Sequence, residues 1–276
     1  MLLPLAPVLS GLVMAHLVFS NGVRIAAVQA VVGGVALAIV AVLLKASVAQ
    51  IVASAIAWWL PVAVIAALAR QWRSITLALQ VSVIVALVVT TGFFVVLGDP
   101  ADYWNDVITR SIEMAREAGL NEQADLLSES QGVVVSQMTM LFVATAWTFY
   151  AMVALFGYSL FQALPGRAGI YGRFRDLNFG RVLATIMALA SVGAVIVGST
   201  WLQNLGFVGF TVFWFQGLAI LHWLHAGGRL PYFVVVMVYA ALPFLNLLLV
   251  VSLAVIGYMD AWFDIRARAR INQDKV

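Results

Sequence analysis

The sequence predicts an all-α protein, a polytopic transmembrane helical bundle. Of its 276 residues, 64% are hydrophobic and 10% are charged, whereas soluble domains carry about 25% charged residues. The mean hydropathy is +1.03. The apolar stretches are continuous and do not alternate with polar residues, which is typical of membrane helices and not of β-barrels. The whole chain, residues 1–276, is therefore expected to form a single integral membrane domain in the lipid bilayer.

About eight stretches reach the length of about 20 mainly apolar residues that a membrane helix needs. They are residues 2–20, 24–44, 46–69, 75–97, 133–163, 182–201, 205–225 and 231–258. The first stretch lacks the basic start and the cleavage site of a signal peptide, so we interpret it as a retained span. The last apolar run, 231–264, contains Pro243 and Asn246, and two interpretations stay open: one span, or a broken pair.

The stretch Pro165–Arg181, here called the basic connector, carries the densest positive charge. Its four arginines face one acid, a balance of about +3, and such loops concentrate on the cytoplasmic side. Eight strictly alternating spans would put eight basic residues on the connector's side and seven on the other. Moving the basic tail, residues 265–276, to the connector's side gives twelve against three. We therefore favour a broken last segment and a cytoplasmic tail.

Residues 99–131 form an acidic insertion between the fourth and fifth spans, with eight of the twelve acids of the chain. Asp99 followed by Pro100 is a favourable helix start, and Gly119 is a suitable end. The apolar residues between them recur at helical spacing, which predicts an amphipathic surface helix of about 18 residues. A second short helical piece is expected around 124–127. The insertion is interpreted as a solvated loop with an apolar face, a lid over a cavity, or a partner-docking helix.

The residues give no support for catalysis, so the chain is not expected to be an enzyme. There is no cysteine, no nucleotide-binding or nucleophile motif, and no HExxH sequence. His222 and His225 share a helix face but have no third ligand nearby in sequence, so no metal or other cofactor is predicted. The excess of basic residues belongs to membrane loops, and nucleic-acid binding is not expected.

Two sets of residues are candidates for binding. Aromatic and amide side chains within spans suit a pocket for a small-molecule ligand; the candidates are Trp147, Tyr150, Trp214, Gln216 and Asn246. Small residues at every fourth position let helices approach closely in lipid; this face on the second span comprises Ala26, Ala30, Gly34 and Ala38. Internal packing and docking of a membrane partner subunit are both open for that face.

The last third of the chain resembles a known family. The matching segments are Trp214–Ile220, Arg229–Pro231, Pro243 and Gly257–Arg266. They look like the C-terminal half of the YybS-like family of predicted bacterial membrane proteins. The resemblance implies a multi-pass protein of the bacterial cytoplasmic (inner) membrane. That family is also distantly similar to the substrate-binding S components of energy-coupling-factor transporters, which implies uptake of a small, mostly uncharged metabolite. The alternative is a non-transporting membrane scaffold or assembly factor.

Overall fold

A computed structural model describes residues 5–273, and the regular structure in that range is helical. The α-helices in chain order are α1 (Leu5–Asn21), α2 (Val23–Leu43), α3 (Val48–Trp72), α4 (Ile75–Leu97), α5 (Pro100–Glu117), α6 (Asn121–Glu129), α7 (Gln131–Gln162), α8 (Gly180–Val197), α9 (Thr200–Thr211), α10 (Phe213–Ala226), α11 (Tyr232–Ala241), α12 (Asn246–Phe263) and α13 (Ile265–Gln273). A single 3₁₀ turn, Phe174–Asp176, lies within the basic connector. The predicted all-α bundle is confirmed.

Six helical segments of residues 5–273 are long and apolar enough to cross a membrane. They are α2, α3, α4, α7, α8 and the continuous run of α9 and α10. The last of the eight predicted stretches is shorter than expected, because α11 has 10 residues. At about 1.5 Å per residue, α11 is only about 15 Å long, half of a hydrocarbon core of about 30 Å. The chain is thus a multi-pass membrane protein with six full-length candidate spans.

Helix α7 is the central element, and it contacts α1, α3, α4, α5 and α9. Its closest neighbour is α1: a Cβ atom added to Gly157 would lie 2.4 Å from the Cβ atom of Ala15. Beside this contact four aromatic rings pack together with centroids 5.1–6.2 Å apart. They belong to Phe19, Tyr158, Phe161 and Tyr171. These contacts join the start of the chain to the basic connector.

The acidic insertion folds as the sequence predicts. Helix α5 has 18 residues, and the Asp99 carboxylate accepts a hydrogen bond from the backbone N–H of Ala101 at 2.9 Å. The apolar face of α5 is buried against α6 and the start of α7. The indole N–H of Trp104 donates to the hydroxyl of Thr139 at 2.8 Å. The apolar face is therefore covered by the chain itself, and α7 begins outside the apolar stretch predicted for it.

The last apolar segment is broken, as we favoured. Helix α11 ends at Ala241 and α12 begins at Asn246, so Pro243 lies in the break between them. Helix α12 packs on α10 and ends at Phe263, and the φ of +49° at the following residue, Asp264, turns the chain into α13. The Asp264 carboxylate pairs with Arg181 of the basic connector at 2.7 Å. The start of the tail therefore lies on the connector's side, while residues 274–276 lie outside the described range.

Candidate functional site

The basic connector does not extend away from the bundle but folds back along α7. Gln162 at the end of α7 accepts a hydrogen bond from the N–H of Gly169 at 3.1 Å. One helical turn earlier, the hydroxyl of Tyr158 is hydrogen-bonded to two backbone groups of the connector. Near the middle of α7, the ring of Trp147 contacts that of Phe179 with centroids 6.2 Å apart. The connector thus follows about 15 residues of α7, or about 22 Å of helix.

The connector separates its apolar and charged side chains. Tyr171, Leu177 and Phe179 are buried in the main core, whereas Arg167 and Arg173 are exposed. The sequence predicted that the whole segment is a solvated loop, but three of its side chains instead lie in the core of the bundle. Arg167 and Arg173 stay exposed, because charged guanidinium groups are costly to bury without partners, whereas Arg175 is half-buried.

A buried polar junction, formed by Gln216, Asp260 and Arg266, fixes the connector against α10 and α12. Gln216 is completely buried, its amide oxygen accepts from the N–H of Phe179 at 2.8 Å, and its amide nitrogen donates to Asp260 at 2.9 Å. The guanidinium of Arg266 donates to the same carboxylate oxygen at 2.7 and 3.0 Å. Asp260 is 1% exposed and Arg266 is 7% exposed, so the charges are paired inside the protein.

Arg266 also binds the connector directly. Its guanidinium donates to the backbone carbonyl of Arg175 at 2.8 Å and to that of Leu177 at 2.7 Å. Of this junction only Gln216 was a predicted binding residue, because no ionisable residue lies in the middle of a predicted span. Asp260 and Arg266 lie at the end of the apolar run and look like ordinary tail residues. A segment of tightly spaced charges around an αL turn gives no periodic signal.

A cavity lies between α7, the basic connector, α10 and α11, and is called here the α7–α10 cavity. Its volume is about 670 Å³. The lining of the cavity is mostly apolar or aromatic, with polar groups toward the connector. The lining residues are Met152, Leu155, Phe156, Tyr158, Ser159, Gln162, Arg173, Phe174, Arg175, Trp214, Phe215, Leu218, His222, His225, Ala226, Tyr239 and Leu242. His222 Nε2 lies 3.0 Å from the hydroxyl of Tyr239. The cavity therefore combines apolar walls with a polar edge.

Of the four predicted ligand-binding residues whose side chains the structure describes, only Trp214 lines this cavity. Trp147 is buried one layer behind it, with its ring 5.3 Å from that of Phe215. The indole N–H of Trp147 donates to the hydroxyl of Ser82 at 2.9 Å. Trp147 therefore supports the cavity wall through Phe215.

The other predicted residues lie elsewhere. Tyr150 lines a separate groove of about 560 Å³ and contacts Trp58 edge-on at 5.9 Å. Gln216 uses both ends of its amide in the polar junction. Asn246 is the first residue of α12, and its side chain lies outside the described part of the structure. The structure does not bring the five predicted residues together in one pocket.

The small-residue face of α2 is divided between two environments. Ala26 is buried, Ala30 is half-buried, and both line a groove of about 340 Å³ against α3. Gly34 and Ala38 are half-buried, and a Cβ atom on Gly34 would meet no atom within 4 Å. The first half of this face thus packs inside the chain, and the second half is open.

The histidines at the end of α10 do not complete a metal centre. Among the residues that the structure describes, no group of three or more His, Cys, Asp or Glu side chains is placed to hold a metal ion.

Comparison of the chain with protein-family models, curated proteins and solved structures finds no match.

Proposed function

We propose that this chain is a substrate-binding subunit of the bacterial cytoplasmic membrane that holds a small ligand in the α7–α10 cavity. The cavity itself carries the proposal. Its volume of about 670 Å³ lies within the range of about 300–1,000 Å³ found for small-molecule sites. Its walls include Met152, Leu155 and Leu218, which suit a ligand with a large apolar part.

The charge distribution supports an orientation with the basic connector in the cytoplasm. The pairing of Arg181 with Asp264 and the bonds of Arg266 to the connector keep the tail beside it. When the tail and the connector lie on the same side, twelve basic residues are on the cytoplasmic side and three are on the other, which agrees with the positive-inside rule. The acidic insertion then faces the outside, and the α7–α10 cavity is reached from the cytoplasmic half of the bundle.

A partner subunit would supply the energy for any uptake, because the sequence holds no nucleotide-binding motif. The resemblance to the YybS-like family, and its distant similarity to S components, favours such a division of labour. This part of the proposal is fold-level analogy. It predicts that the chain binds its ligand without ATP and that transport needs a second membrane protein.

The proposal is tested by native mass spectrometry of the protein purified in lipid nanodiscs, with a matched pair of variants. Leu155→Trp places a large side chain in the cavity wall, and Leu160→Trp adds the same side chain at an exposed position of the same helix. A co-purified small molecule should be present on the native chain and on L160W and be lost from L155W. Retention of the same molecule by L155W would refute binding in this cavity.

A scaffold remains the second candidate, and it rests on α2. Helix α2 packs on α1 and α3, and large side chains such as Val28, Val31 and Val32 are more than 60% exposed. A membrane subunit docked on this helix would be lost when Gly34→Leu blocks close approach. Native mass spectra that contain a second polypeptide, sensitive to G34L, and no small molecule would favour this function.

A further inference from the structure

The α7–α10 cavity has a positively charged edge. Arg173 and Arg175 line it beside His222 and His225, and no Asp or Glu is found among its described lining residues. Cationic groups beside low-dielectric walls focus a positive potential into a cleft and favour an anion. A wholly uncharged ligand would leave this edge without a function in binding.

The two arginines keep hydrogen-bond donors for such an anion. The ion pairs among the described residues use Arg116, Arg181 and Arg266, so neither cavity arginine is held by a carboxylate there. The backbone carbonyl of Arg175 is fixed at 2.8 Å by Arg266, which orients the connector at this point. A guanidinium offers five N–H donors in a planar fork that matches carboxylate and phosphate oxygens.

We infer that the ligand of this cavity is a single-chain amphiphile whose anionic head group binds Arg173 and Arg175. Its alkyl chain lies along the apolar wall formed by Met152, Leu155 and Leu218. This inference rests on the proposed function, since it names the chemical class of the ligand bound in the same cavity. The head group is a carboxylate or a phosphate, because both present oxygens that a guanidinium fork recognises.

The test uses three photoreactive probes of equal chain length in nanodiscs of phosphatidylcholine. They are a diazirine-labelled dodecanoic acid, its methyl ester and the corresponding dodecyl phosphate. Cross-linked peptides are identified by mass spectrometry. In the native chain, the acid or the phosphate should label α7 and α10 around the cavity at least about tenfold more than the ester. Labelling by the phosphate alone would identify a phosphate head, and labelling by the acid alone a carboxylate.

Variants separate the head-group site from the apolar wall. R173Q combined with R175Q should lower labelling by the anionic probe at least about tenfold, which corresponds to about 1.4 kcal/mol. R167Q is the control, because Arg167 is an exposed arginine of the same connector that does not line the cavity. L155W should lower labelling by every probe. Anionic-probe labelling must remain unchanged in R167Q.

The outcomes distinguish the anionic head group from the binding of a ligand in the cavity. Equal labelling by acid, phosphate and ester that L155W abolishes would overturn the anionic head group while the cavity remains a binding site. Labelling that is insensitive to L155W would overturn both. The comparison of acid with ester is made on the native chain, so it does not depend on how the arginine variants fold.

Discussion

Replacing Arg266 by Gln should destabilise the protein far more than the place of this residue in a basic tail suggests. The change removes four guanidinium hydrogen bonds, two to Asp260 and two to backbone carbonyls of the connector. The carboxylate of Asp260 stays behind at 1% exposure, with the Gln216 amide as its remaining side-chain donor. Removal of one partner from a buried ion pair costs about 3–5 kcal/mol, because the other charge is left uncompensated.

The expected shift can be measured by thermal unfolding in nanodiscs, followed by tryptophan fluorescence. At about 2–4 °C per kcal/mol, a loss of about 3–5 kcal/mol lowers the midpoint by about 6–20 °C. Arg181→Gln is the matched control, because its ion pair with Asp264 is also 2.7 Å long but its side chains are 61% and 41% exposed. An exposed pair contributes less than about 1 kcal/mol, so R181Q should shift the midpoint by less than about 4 °C.

A double variant tests whether the unpaired buried carboxylate of Asp260 causes the loss of stability. Asp260→Asn in the R266Q background removes the uncompensated carboxylate, so the double variant should be more stable than R266Q alone. Its midpoint should exceed the value that addition of the two single effects predicts, since contacting residues are energetically coupled. Equal midpoints for R266Q and R181Q, or additive effects of D260N and R266Q, would refute the reasoning about burial.

Three further predictions test the packing and the topology. Gly217→Ala should disrupt the contact of α10 with α12, because its Cβ atom would lie 2.1 Å from the backbone oxygen of Leu253, while Gly34→Ala meets no atom within 4 Å; the thermal midpoint should fall only for G217A. Ile108→Ala should destabilise the acidic insertion by about 2–5 kcal/mol and speed its cleavage by protease without a comparable shift of the global midpoint. Because the chain has no cysteine, Cys replacements at 128 and 168 should react with a membrane-impermeant thiol reagent from opposite sides of oriented vesicles; reaction from one common side would contradict the proposed topology.

Features determined by neighbouring residues were predictable from the sequence. Asp99 and Pro100 begin α5 within one residue of the expected position, and the apolar spacing behind them correctly predicted an 18-residue amphipathic helix. Pro243 lies in the predicted break of the last apolar segment. In both cases the signal is chemical and local: a capping carboxylate, a missing backbone N–H donor, or a repeat of 3.6 residues.

The path of the connector could not be predicted in the same way. Its contacts with Arg266 join residues 89 and 91 positions apart in the sequence. Charge density alone assigned the segment to water, since four arginines dominate its composition. The sequence does not reveal that Tyr171, Leu177 and Phe179 turn inward, that Arg167 and Arg173 stay exposed, and that Arg175 is half-buried, because the segment has neither helical nor strand periodicity.

The same limit explains why the pocket was only partly found. Trp147 and Trp214 were both predicted to line one pocket, but Phe215 contacts both rings and only Trp214 lines the cavity, and the residues that give the cavity its charge come from the connector. Aromatic residues in an apolar sequence suggest a binding pocket, whereas an arginine in a loop is explained by the positive-inside rule. The polarity of the cavity depends on the folding back of the connector and therefore on long-range contacts.

The buried polar junction explains how this fold-back is held in one arrangement. Asp260 and Arg266 are six residues apart, which on a continuous helix would separate them by about 120° around the axis and about 9 Å along it. The αL conformation of Asp264 redirects the chain and lets the two side chains meet. Apolar side chains of similar volume would avoid the desolvation of two charges, but they would make no directional hydrogen bonds to the connector. The carbonyls of Arg175 and Leu177 satisfy the guanidinium in one register. That register sets where Arg175 enters the α7–α10 cavity, so the junction positions the proposed head-group site without touching the ligand.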